Sequence, residues 1–123
     1  MKQQGQALIT LLFFTILSIT IISTAAVVTI VNAQSTSIQS ISSETYSLAE
    51  AGIENALLRL LRDPAYTGET MTIGTGSVTI DVTGTSPILV TAKASLRGFI
   101  RKVQVGVDYA NNSLRVLSWK EVL

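Results

Sequence analysis

The chain has 123 residues, 47% of them hydrophobic, with nine basic and eight acidic side chains and neither cysteine nor histidine. That length allows one domain, and the crowding of apolar residues at the start leaves only a small water-facing core beyond it. The missing residue types remove disulfides, thiolate chemistry, the usual zinc ligands and the commonest general base, and a formal charge of +1 without a basic run gives no electrostatic footprint for nucleic acid.

Lys2 is the only charged residue before Glu44. From Ala7 to Val31 there are 25 residues, 18 of them apolar and none charged. At about 1.5 Å per helical residue this stretch covers a hydrocarbon core of roughly 30 Å. Its polar members are all hydroxyl residues, Thr10, Thr15, Ser18, Thr20, Ser23, Thr24 and Thr29, which can bond to a preceding carbonyl or to a neighbouring helix. Lys2 upstream keeps the N-terminus cytoplasmic under the positive-inside tendency. Val31-Asn32-Ala33 also fits a signal-peptidase site, although the apolar run far exceeds the roughly 7–15 residues of a secretory signal.

Residues 34–63 space Ile38, Ile41, Tyr46, Leu48, Ala49, Ile53, Ala56, Leu57, Leu60 and Leu61 mostly three or four apart, the pattern of an amphipathic helix. Glu44, Glu50 and Glu54 precede Arg59 and Arg62, the order that suits a helix dipole, and Asp63-Pro64 supplies the stop. One helix from about residue 7 to about 62 is expected. Its weak part is Ser35 to Ser47, where eight Ser or Thr residues lower helix propensity.

Beyond Pro64 the period changes to that of strands. DPAYTGE reads as a loop, MTIGTGSVTIDVTGTSP as one or two short strands, and PILVTAKASLRGFIRKVQVGVDY as a long hairpin. With Arg97-Gly98 as a two-residue loop, Leu96 faces Phe99, Ala92 faces Val103, Val90 faces Val105 and Ile88 faces Val107. Arg101, opposite Ala94, is the exception on this apolar face. SLRVLSWKEV after the Asn111-Asn112 turn adds an edge strand. The apolar face needs cover, and the helical stripe from Leu48 to Leu61 is the available partner. The expected fold class is therefore α+β, a long N-terminal transmembrane helix whose outer half packs on an antiparallel sheet of about four strands.

A short basic leader ending in Gly5, a charge-free helix directly after it, its continuation into Ala49-Glu50-Ala51-Gly52 and IENAL, and a small sheet ending in SWKEV resemble a type IV pilin-like protein. The chain is most similar to the PilX- and GspK-like minor pilins and pseudopilins, which tend to carry an Ala-Glu-Ala-Gly-like segment in the first helix. The resemblance implies that a prepilin peptidase cuts after Gly5 and that Gln6 becomes an N-terminus commonly N-methylated. It implies storage in the inner membrane, then extraction by an assembly platform into an extracellular or periplasmic filament with the N-terminal helices of other pilin subunits at its core. Ala7, Leu8, Thr10, Leu11, Leu12, Ile16 and Ile19 would supply that packing. Residues 1–5 would be the leader, 6–33 the filament-core half of the helix, 34–63 its outer half and 64–123 the sheet region. Three departures stand out: Gln6 replaces the usual apolar first residue, Thr10 replaces the usual glutamate at the fifth mature position, and no proline interrupts the lipid-spanning half. In the family, loss of that glutamate goes with tip or initiating subunits, which favours a minor, tip-proximal role.

The remaining polar candidates have structural readings. Glu50 and Glu54, one helical turn apart, fit a solvated or dipole role, and Asp63 with Glu69 supplies too few carboxylates for calcium. Asn111-Asn112-Ser113 fits both a turn and a glycosylation sequon. No serine has an activating base. The expectation is a non-catalytic subunit without cofactor or metal, touching membrane lipid and no nucleic acid. Two rivals stand beside it: a secreted β-domain beginning at Gln34, and a single-span anchored adhesin or envelope protein that keeps Met1.

Overall fold

The computed structural model describes residues 2–123. One helix, α1 (Lys2–Arg62), is followed by β1 (Gly68–Ile73), β2 (Gly76–Thr83), β3 (Ile88–Leu96), β4 (Phe99–Ala110) and β5 (Ser113–Val122). The residues divide into two compact units, one ending at Ile38 and the other running from Gln39 to Leu123.

In the first unit α1 starts at Lys2 rather than near residue 7. Nothing in Gln3-Gln4-Gly5-Gln6 breaks a helix, since no proline intervenes and Gly5 does not adopt a positive φ. The hydroxyls of Thr10, Thr15, Ser18, Thr20, Thr24 and Thr29 each donate to the carbonyl four residues back at 2.8–2.9 Å. Of the two partners open to them, they use their own backbone.

In the second unit the sheet is antiparallel throughout, in the order β1-β2-β3-β4-β5. It has five strands instead of about four because Gly74 and Thr75 turn the Met71 to Val82 stretch back on itself, Gly74 at φ +60° and Ile73 opposite Gly76. Gly68 and Glu69, expected in the loop, already pair with Asp81 and Ile80. The β3–β4 hairpin has the anticipated register, from Ile88 opposite Val107 to Leu96 opposite Phe99. Arg97 and Gly98, at φ +48° and +84°, give the turn its left-handed pair.

The core lies between α1 and one face of this sheet. Ala49, Ile53, Ala56 and Leu60 from the helix are buried with Val78, Ile80, Val90, Ala92, Val103, Val105 and Val107 from the strands. Truncating Ile53 or Leu60 to alanine costs about 2–5 kcal/mol in such a setting. The buried stripe is narrower than the sequence pattern: Ile38 and Leu61 are exposed, whereas Thr45 is fully buried, its hydroxyl held by the Ile41 carbonyl at 2.7 Å. A period of 3.6 residues lets only one row point straight at the sheet, and Leu61 falls off that row beside Leu60. The helix ends where Pro64 offers no donor. Asp63 Oδ1 then accepts from Ala65 N at 3.0 Å and its carbonyl from Tyr66 N at 3.1 Å, turning the chain toward β1.

Two polar clusters fasten the helix to the sheet. Arg101 reaches across the apolar face to donate to Ser42 Oγ, 3.2 Å from Nε, and pairs with Glu121 of β5. At the other end, Glu69 pairs with the Arg59 guanidinium, its Oε1 2.9 Å from Nε, and accepts from the Tyr66 hydroxyl at 3.1 Å, while Arg59 Nε donates to Asn55 Oδ1 and the guanidinium carbon lies 5.9 Å from the Tyr66 ring centroid. Burial, together with this hydroxyl–carboxylate bond, raises the Tyr66 pKa above its ordinary value. Ionisation therefore opposes folding, and the stability Tyr66 adds is lost only as pH rises past the ordinary tyrosine range. Replacing Arg101 with leucine should cost about 1 kcal/mol and speed amide exchange over residues 41–46, because Ser42 loses its tie to the sheet. Unchanged exchange there would refute that tie.

Candidate functional site

Two features stand apart from the packed core: the helix surface before Gln39 and the close seam between α1 and β2. Each arises from its own sequence pattern, and each contains residues singled out above.

Along α1 the residues from Gln3 to Ser40 are exposed. Among them the large apolar side chains from Leu8 to Ile22 retain between 44% and 70% of their accessible surface. A helix apolar on every side is a membrane span or the centre of a larger helical assembly, since water alone does not tolerate it. α1 is long and apolar enough to cross a membrane. Ala7, Leu8, Thr10, Leu11, Leu12, Ile16 and Ile19 all lie on this surface and are exposed. At 100° per residue six of them fall within one half of the helix circumference, with Thr10 outside it, and Ile9, Phe13, Phe14 and Leu17 cover much of the other half.

Gly5 and Gln6 lie in the first turns of the same helix, both exposed. A methyl group added at Gly5 would meet no atom within 4 Å, and its φ is not positive. Glycine here costs the helix about 1 kcal/mol relative to alanine while the fold gains nothing from it. The packing of the folded chain thus does not require a glycine at this position. Thr10, one turn after Gln6, donates its hydroxyl to the Gln6 carbonyl at 2.9 Å. It is a neutral residue, satisfied locally.

The Ala49-Glu50-Ala51-Gly52 segment has a different task. Ala49 and Gly52 are buried against the sheet, Glu50 is half-buried and Ala51 is exposed. A methyl added to Gly52 would stand 2.5 Å from Val78 Cγ1 and 3.4 Å from the Ala92 side chain. Gly76 of β2 is equally tight against the Leu48 side chain. Small residues thus let the helix backbone sit close to β2 and β3, and the segment acts as a packing seam. The sequence pattern places Gly52 in a motif but gives no signal for Gly76, whose partner is 28 residues away in the chain.

The acidic candidates are already engaged or solvated. Asp63 serves the turn after the helix, Glu69 binds Arg59 and Tyr66, and Glu54 is exposed. Among the described residues no group of three Asp, Glu, His or Cys side chains is placed to hold a metal ion. Trp119 projects from β5 on the helix side, opposite Val105, and is partly exposed. Asn111 and Asn112 form the β4–β5 turn at φ +52° and +58°, with Asn112 Oδ1 accepting from the Tyr109 hydroxyl at 2.9 Å.

The arrangement as a whole is a pilin-like α+β architecture: an apolar N-terminal helix whose later turns cover an antiparallel sheet. No family model, curated protein or solved structure matches the chain.

Proposed function

We propose that this chain is a non-catalytic structural subunit of a type IV pilus or type II secretion-like filament, a minor or tip-proximal pilin or pseudopilin of the PilX- and GspK-like kind. A prepilin peptidase removes residues 1–5, and Gln6, commonly methylated in such proteins, becomes the N-terminus. The subunit waits in the inner membrane with its N-terminus cytoplasmic, and an assembly platform then moves it into a filament outside that membrane. The observation that carries this reading is the pairing of an uncovered all-round apolar helix with a glycine at its start that the fold does not need.

Physical chemistry links the parts. The surface that meets lipid tails is the surface that meets other helices, since the two surroundings are similarly apolar. Residues such as Leu8, Leu11, Leu12, Ile16 and Ile19 supply dispersion contacts in either. A glycine in the first turns eases the local unwinding that a peptidase needs to bind its substrate extended. Thr10 avoids the cost of a carboxylate in lipid and gives up the ion pair with a neighbouring N-terminus, which suits a subunit with none above it.

Intact mass and N-terminal sequence of the protein from native membranes test the proposal. A start at Gln6, with or without an added methyl, supports it. A start at Gln34 would make the chain a secreted β-domain, and retention of Met1 would make it a permanent anchor.

A further inference from the structure

The sheet has two edges, and they are unequal. β1 is six residues long, enters through Gly68 at φ +120°, and has its Glu69 side chain taken up by Arg59 and Tyr66. β5 is ten residues long and bonds only to β4, so its outer edge carries an open row of backbone donors and acceptors. Exposed edges are usually covered, bulged or charged; β5 is left uncovered and carries a bulge at Leu117 and the cations Arg115 and Lys120.

Beside β5 the helix overhangs the edge. Leu57, Leu58 and Leu61 with Glu54, Leu114 and Val116 line an open groove of about 410 Å³. Leu58 is 60% exposed and Val116 47%. A strand laid along β5 would have its helix-side residues roofed by these leucines, in continuity with the core.

The opposite face of the sheet fixes the charge of that strand. Residues facing away from the helix include Arg115 and Lys120 on β5 and, behind them, Lys102 of β4 directly opposite Lys93 of β3. Like charges placed across strands destabilise a sheet. Among the described residues none of these four cations forms an ion pair. Asp108, opposite Arg115, and Asp81, diagonal to Lys93, are the acidic groups on this face. The result is a net positive surface next to a free edge.

We propose that β5 accepts an extended strand from a partner protein, with apolar residues on the side facing α1 and acidic residues on the side facing Arg115 and Lys120. Main-chain bonds supply affinity and the alternating side chains supply choice, as in other strand-addition interfaces. Because Leu117 bulges from the ladder, Arg115, Ser118 and Lys120 occupy successive same-face positions. The partner's acids therefore fall at the first and third positions of its own polar face. A second copy of β5 does not fit this description. In the fully overlapped antiparallel register that keeps Val116 against Trp119, Arg115 of each strand would face Lys120 of the other.

This inference concerns a surface apart from the N-terminal helix, so it stands or falls independently of the filament reading. The test uses the full chain in phosphatidylcholine nanodiscs and a fluorescent peptide alternating valine with polar residues, glutamate at the first and third polar positions and threonine elsewhere. Binding is followed by anisotropy. The expected result is saturable binding, weakened on the order of tenfold by Arg115→Glu with Lys120→Glu, which instead favours the lysine-containing analogue of the peptide. N-methylation of the peptide at alternate residues should abolish binding, because the lost donors are the ladder bonds. No binding, binding indifferent to N-methylation, or a dimer of the chain that forms through β5 and excludes the peptide would each overturn the assignment.

Discussion

With serine at position 5, the chain recovered from membranes is expected to begin at Met1, whereas the proposed function has the wild-type chain begin at Gln6. An added side chain at this position has open space around it, so the folded protein should be unaffected. Serine is also a better helix former than glycine by a few tenths of a kcal/mol, which firms the first turns. Under the proposed function, a loss arises in the peptidase's site, since glycine is the only residue without a Cβ. A reduction of about tenfold or more in the processed fraction is expected, with Gly5→Ala intermediate. The measurement is the ratio of the two masses in membrane extracts. Normal processing of Gly5→Ser would remove the peptidase from the proposal and leave the apolar helix as an anchor.

Gly52→Leu should be the most damaging single change in the second unit, costing about 3 kcal/mol and unfolding part of a small, marginally stable structure. The smaller change Gly52→Ala gains about 1 kcal/mol of helix propensity and loses more to its collision with Val78. Since that collision is 2.5 Å from Val78 Cγ1, shaving Val78 to alanine should relieve it. The double variant Gly52→Ala with Val78→Ala should therefore be about 1 kcal/mol more stable than the sum of the single effects. Urea unfolding followed by Trp119 fluorescence reads both. Strict additivity would mean that the seam between α1 and β2 is not where the helix position is set.

The hairpin of β3 and β4 is legible in the sequence because its information is local. Ile88, Val90, Ala92 and their partners alternate without error, and Arg97-Gly98 permits a single short turn, so one register survives. The α+β class follows because an apolar sheet face and an apolar helix stripe in one small chain must cover each other. The fifth strand is obscured because β1 is short and mostly polar, with Glu69, Thr70 and Thr72 diluting its alternation. Arg101 reads as a misplaced charge on an apolar face. Its partners, Ser42 and Glu121, lie 59 and 20 residues away, and no periodicity reports such a distance. Gly52 is visible as part of a motif, yet the need for glycine there comes from Val78, a residue of another element brought against it by the fold.

The six hydroxyls along the apolar part of α1 that bond to their own backbone carry a consequence for traffic between surroundings. Leaving lipid for protein, or protein for lipid, trades one set of dispersion contacts for another and leaves those polar bonds intact. A side chain forced to change hydrogen-bond partners in passage would act as a latch, holding the chain on whichever side it last bonded. These six hydroxyls are not latches, so under the proposed function they leave the helix's passage between lipid and filament to be governed by shape and crowding.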